Sequence, residues 1–159
     1  MPLPTSADLA LVLQIAGAGI LAGAIGWQRH LAGRAAGLRT HALVAMASAA
    51  FTLAGVYGFA SGEPRDPTRI AAQVVTGIGF LGAGTIFRAE DRLVGLTTAA
   101  ALWFSAALGV LVAAGMEWVA ILSTVLGLVV LTVVGVAERK WDERHAAEAM
   151  DSQVTQPDR

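Results

Sequence analysis

Trp118–Ala137 reads WVAILSTVLGLVVLTVVGVA, 20 residues without an Asp, Glu, Lys or Arg. As an α-helix at about 1.5 Å per residue it rises about 30 Å, the thickness of a bilayer's hydrocarbon core. Its run Leu126–Val134 lacks the polar/apolar alternation of a membrane β-strand, so a spanning helix is the expected form. Four further stretches, at about 10–27, 41–62, 70–87 and 93–116, are equally free of charge. The sequence therefore predicts an all-α integral membrane protein, a bundle of five transmembrane helices over residues 1–137.

Composition agrees. Of 159 residues, 55% are hydrophobic and 14% charged, against about 25% charged in an ordinary soluble domain. A soluble fold this short cannot bury so much apolar surface. Disorder is excluded too, because it needs low hydrophobicity and high net charge. The net charge of −1 gives no basic field for nucleic acid. There is no Cys, hence no disulfide, no thiolate nucleophile and no Cys-type zinc site. His30, His41 and His145 are scattered along the chain and predict no metal cluster. Ser105 has no base within its own span, so intramembrane hydrolysis has no support. A non-enzymatic protein without a cofactor is expected, with the lipid bilayer as its constant partner.

The first span is expected to be retained, because residues 1–13 lack the basic segment of a signal peptide. Residues 138–159 read as a short polar tail. Glu138–Met150 suits a surface helix with Arg139/Glu143 and Arg144/Glu148 at i,i+4, and the end reads as disordered. Nine basic residues (Arg29, Arg34, Arg39, Arg88, Arg92, Arg139, Lys140, Arg144 and Arg159) fall on one side of a five-span topology. Arg65 and Arg69 fall on the other. This asymmetry puts the N-terminus outside and the tail in the cytoplasm. Trp27 and Trp141 lie at the inner boundary and Trp118 at the outer one, while Trp103 sits in mid-span.

The third span carries the densest pattern. Gly77–Gly82 matches G-x-G-x-x-G, but inside an apolar stretch it lacks the strand and aqueous helix start that a dinucleotide site needs. In lipid such glycines let backbones approach. Thr76, Gly79 and Ala83 form one small seam; Gln73, Gly77, Phe80 and Gly84 form another. Close packing against a neighbouring helix is expected, or a contact face for a ligand or partner helix. A full crossing is the first reading, with a broken or re-entrant helix as the alternative. Gln73 needs a partner for its amide: an interhelical hydrogen bond or a small polar cavity. Thr98, Leu102, Ser105 and Gly109 share a face of the fourth span, with Thr97 beside it. That face suits the glycines of span three. Gly19, Gly23 and Gly26 give the first span a small-residue frame. No Asp or Glu lies deep in any span, and Mg²⁺ sites usually use a carboxylate.

Three segments carry a family resemblance. They are Ala36-Gly37-Leu38-Arg39-Thr40-His41-Ala42-Leu43-Val44; Arg69 to Gly84, with Gln73, Gly77, Gly79 and Gly82; and Val94-Gly95-Leu96-Thr97-Thr98-Ala99-Ala100 with Trp103. In this order and spacing, over about residues 9–135, the chain resembles the MgtC/SapB family of bacterial inner-membrane proteins. The family's usual Gly-x-Glu-Arg reads Gly26-Trp27-Gln28-Arg29 here. Longer members also carry a C-terminal ACT-like domain, and the chain is expected to be a short form without it. The resemblance implies a multi-pass protein tied to growth in low Mg²⁺ and, in pathogens, to virulence. It implies regulation through contacts with membrane proteins such as the F-type ATP synthase, with a homo-oligomer as a further form. A Mg²⁺ or other small-solute transporter is the alternative.

Overall fold

Each helix begins where the local chemistry permits. The computed structural model describes residues 5–58, 66–89, 92–138, 140, 141, 144 and 145. Helix α1 spans Ser6–Leu31. It starts at a capping box: the Thr5 hydroxyl accepts the Asp8 N–H, and the Asp8 carboxylate accepts the Thr5 N–H at 2.8 Å. Helix α2, Leu38–Leu53, runs on through a wider π turn, Ala54–Gly58. Helix α3, Pro67–Ala83, has Pro in its first turn and the Asp66 side chain as its cap. The Thr68 hydroxyl and N–H both donate to that carboxylate, and they hold its pKa below the ordinary value. Strands β1 (Phe87–Ala89) and β2 (Arg92–Val94) form an antiparallel hairpin with Arg88 opposite Leu93. Helix α4 is Leu96–Ala113. Helix α5, Glu117–Val129, continues through a π turn at Val130–Val134.

Four helical stretches are long and apolar enough to cross a membrane: Ser6–Leu31, Leu38–Gly58, Leu96–Ala113 and Glu117–Glu138. The chain is an all-α membrane bundle, and the hairpin is the only strand structure among the described residues. The third span differs from its expected form. Helix α3 is unbroken, but its 17 residues rise only about 26 Å, short of the roughly 30 Å core. It ends at Ala83 rather than near residue 87. Thr85 turns the chain there, its hydroxyl and its N–H both donating to the Gly82 carbonyl. The hairpin then takes residues expected at the end of span three and the start of span four. Gly95 closes it with φ +97°, where an added Cβ would fall onto the Thr85 carbonyl. Arg139, Glu143, Glu148, Arg65 and the chain's last residues lie outside the described residues, so neither i,i+4 pair of the tail is described.

The core belongs to α1, α2 and α4, and it is built largely of alanine. Ala18, Ala22 and Ile25 of α1 meet Ala45, Ala49 and Leu53 of α2 and Ala101, Leu108 and Val112 of α4, all buried. Small side chains let the backbones close up, and in lipid the resulting dispersion contacts replace a hydrophobic driving force. Gly109 marks the tightest crossing, since a Cβ there would enter the Ala45 carbonyl. The small face of α4 therefore packs on α2, and not on the glycines of α3 as its pattern led us to expect. Gly77 and Gly79 have no atom within 4 Å of an added Cβ. Of the glycines within α3 only Gly82 meets α4, with Ala99 3.6 Å from an added Cβ. The α1 frame does pack: Gly19 faces Met46, and Gly26 lies against Gly37 and Leu38.

Alanine substitutions should separate the two kinds of glycine. Gly109→Ala should destabilise the protein in detergent by about 1–3 kcal/mol, the usual cost of overpacking. Gly79→Ala should be neutral or stabilising, by up to about 1 kcal/mol from helix propensity. Equal losses in thermal unfolding would contradict this packing.

Candidate functional site

Polar groups inside the alanine core stand out because hydrocarbon offers them no water. Arg29, in the last turn of α1, is 4% exposed. Its Nη2 donates to the Thr98 Oγ1 at 3.3 Å, tying α1 to the first turn of α4. His41, in the first turn of α2, is fully buried with its Nδ1 2.8 Å from the Ser105 Oγ of α4. The Ser105 hydroxyl donates its one proton to the Ala101 carbonyl at 2.9 Å. The Nδ1–H of His41 is therefore assigned as donor to Ser105. His41 Nε2 is left without a hydrogen-bond partner among the described residues. Ser105 is fully buried as well, so no substrate reaches its oxygen in this structure.

Gln28 supplies a third tie. Its Nε2 donates to the Leu131 carbonyl at 3.4 Å, within the π turn that continues α5. A carboxylate at this position would have no proton to offer that carbonyl, so the amide suits the turn it meets.

The residues singled out in the sequence divide into three places. At one end of the bundle lie Arg29, Gly37, Arg39, Thr40, Thr97 and Thr98. Gly37 lies 3.5 Å, through an added Cβ, from the His30 side chain, and its carbonyl caps the His41 N–H at 3.2 Å. Arg39 and Thr40 are exposed beside Arg34, lining one shallow cleft. Gly82 and Gly84 close α3 at this same end. Arg69 lies in the first turn of α3, at the opposite end, close to the Asp66 cap. The third place is a groove of about 430 Å³ between α2 and α3, lined by Ser48, Phe51, Gln73, Val74, Gly77 and Leu81. Gln73 is exposed there and makes no hydrogen bond with a described residue. Trp103 and Phe80 point outward, 51% and 83% exposed. Gly79 belongs to none of these contacts.

The His41–Ser105 pair was missed because Ser105 was compared only with its own span. One signal was available. His41, Ala45, Ser48, Ala49 and Thr52 form a small, polar face at i, i+4, i+7, i+8 and i+11, all buried. That face matches Thr98, Ser105 and Gly109 on α4. Among the described residues no group of three His, Asp or Glu side chains could hold a metal ion.

The sequence profile of the MgtC family matches residues 15–140. A protein of Escherichia coli (strain K12) named "Putative magnesium transporter YhiD" is 46% identical over 127 residues, 77% of this chain and 59% of that protein. Protein MgtC of Brucella abortus (strain 2308) is 50% identical over 111 residues, 70% of this chain and 45% of that protein. Protein MgtC of Salmonella typhimurium (strain LT2) is 45% identical over 115 residues, covering 72% and 48%. The chain thus spans about half the length of the curated relatives it matches. No solved structure matches it.

A double-mutant cycle tests the buried pair. Ser105→Ala leaves the His41 Nδ1–H unpaired in the core and should cost about 1–3 kcal/mol. Combined with His41→Ala, the two losses should fall short of additive by about 0.5–3 kcal/mol in unfolding in micelles. Strict additivity would mean that the 2.8 Å contact contributes nothing.

Proposed function

The chain belongs to the MgtC family, and from that membership we propose a non-enzymatic membrane regulator linked to magnesium homeostasis. It acts through helix contacts with another membrane protein in the bacterial inner membrane, its arginine-rich end toward the cytoplasm. The observation that carries this reading is the α2/α3 groove. Its wall presents bare backbone at Gly77 and an amide at Gln73. A partner helix would fill the first closely and hydrogen-bond the second, as small residues and amides do between membrane helices. The F-type ATP synthase is the candidate partner that the family resemblance implies, and a second copy of the chain is the other.

The name of the Escherichia coli relative favours the second reading, a magnesium transporter. Among the described residues no carboxylate lies deep in a helix; Asp8 and Glu117 sit in first turns. Neutral hydroxyls and amides give no charge to offset stripping water from Mg²⁺. This supports regulation over transport.

Two measurements decide between them. Liposomes holding the purified protein should show no Mg²⁺ flux above empty vesicles. Gly77→Leu should keep the unfolding temperature within a few degrees, since its Cβ meets open space, yet lose the ability to restore growth in low Mg²⁺. Saturable Mg²⁺ uptake that Gln73→Ala removes would establish the transporter instead.

A further inference from the structure

Gln73 puts an amide on the exposed face of α3 and makes no hydrogen bond with a described residue. The helix lies along the bundle: Ile70 meets Gly55 near its start, and Gly82 meets Ala99 of α4 near its end. Gln73 stands about 9 Å along the axis from Pro67, at a level where hydrocarbon offers its amide no partner. Gly77, Phe80 and Gly84 share its face at i+4, i+7 and i+11, and all are exposed. An amide has both donors and an acceptor, so two copies of it satisfy each other.

The packing groups on this face are paired in the same way. Phe80 is 83% exposed. About 60° round the helix from it, Gly77 opens the α2/α3 groove of about 430 Å³, and an added Cβ there meets no atom within 4 Å. Along α3 the groove runs from Ile70 to Leu81, so it includes the level of Phe80. One face therefore carries a projection and a hollow at matching depth. Copies inserted alike are related by a two-fold axis along the membrane normal, which keeps every residue level with its counterpart. An unrelated helix would have to supply an amide and a ring at the same spacing, whereas a second copy has both. Length adds to this. The 17 residues of α3 rise about 26 Å against a core of roughly 30 Å, and association is one way a short helix relieves that mismatch.

We propose that two copies of the chain pair through α3 across such an axis, with the two Gln73 amides hydrogen-bonded to each other and Phe80 of each copy in the α2/α3 groove of the other. This rests on the reading above that a helix covers the face, and it names that helix.

The chain has no Cys, so single cysteines report on the contact directly. On oxidation in native membranes Thr76→Cys, between Gln73 and Phe80 on the exposed side, should link two copies, since disulfides form between Cα atoms within about 7 Å. Leu13→Cys, on the 71% exposed face of α1, should not. In liposomes, energy transfer between labelled copies on dilution gives the dissociation constant of the dimer. Gln73→Leu should raise it about 3–30-fold, the range for a hydrogen bond between membrane helices. Phe80→Ala should raise it about tenfold or more, as loss of a buried aromatic anchor does. Neither side chain is buried within one copy, so both variants should keep the unfolding temperature in detergent within a few degrees. Thr76→Cys retains both side chains and stands independently of those variants. The proposal is overturned by the absence of a dimer in liposomes, which leaves the face to lipid or another protein. Linkage of Leu13→Cys as readily as Thr76→Cys overturns it too, as does a dissociation constant that Gln73→Leu leaves unchanged. Growth in low Mg²⁺ tests the regulator reading apart: full growth with Gln73→Leu beside a weakened dimer keeps the pairing and ends that reading, and lost growth with no dimer does the reverse.

Discussion

The crossing of α2 and α4 at Gly109 is the contact on which the bundle depends. Lipid tails are as apolar as leucine, so helices in a bilayer gain little from hiding apolar side chains from water. They must gain from backbones brought close and from polar groups that find partners. Gly109 lies against the Ala45 carbonyl, and the alanines around it let α1 and α4 both pack closely on α2. Only at that separation do His41 and Ser105 come within 2.8 Å and Arg29 reach Thr98. The small residues set the distance, and the hydrogen bonds fix the register.

Helices α3 and α5 follow from that arrangement as outer elements. Ile78 and Gly82 are the buried residues of α3, and Ala120 and Thr124 are those of α5. A short helix with one face against α4 and another open is suited to meeting a partner. The glycines that a self-contained bundle would bury face out of it at Gly77 and Gly79. The proposed regulator uses that outward face, while the opposite requirement, a charged path for Mg²⁺, finds no carboxylate among the described helix interiors. The arginine-rich end is a separate feature. It joins Arg34 of the α1–α2 connection, the hairpin and the start of α4 around one cavity.

Much of this was legible in the sequence. Charge-free runs of membrane-spanning length located four spanning helices, because the bilayer imposes one length on all of them. The small-residue faces of α1 and α4 were legible as faces, but their partners were not. A periodicity names the side of a helix that packs and says nothing about which helix it meets. That is why Gly109 and Ser105 were matched to α3 when they belong to α2. The end of span three differs for another reason. Residues 84–87 and 93–95 are apolar enough to be read as helix ends, yet the Thr85 turn and the φ +97° of Gly95 bring Phe87–Ala89 and Arg92–Val94 together as paired strands. Gly37, Thr98 and Gly82, singled out in the sequence, each lie at a contact between two elements. His41 escaped because a lone histidine reveals its partner only in three dimensions.

The central claim is that the outward face of α3 is occupied by another protein in the membrane. A photo-crosslinking amino acid placed at Gly77, and separately at Leu13 on the 71% exposed face of α1, tests it in native membranes. The expected result is a protein adduct from position 77 and lipid adducts alone from position 13, with the peptide joined to 77 identified by mass spectrometry as a transmembrane segment. Lipid adducts alone from both positions would contradict the claim.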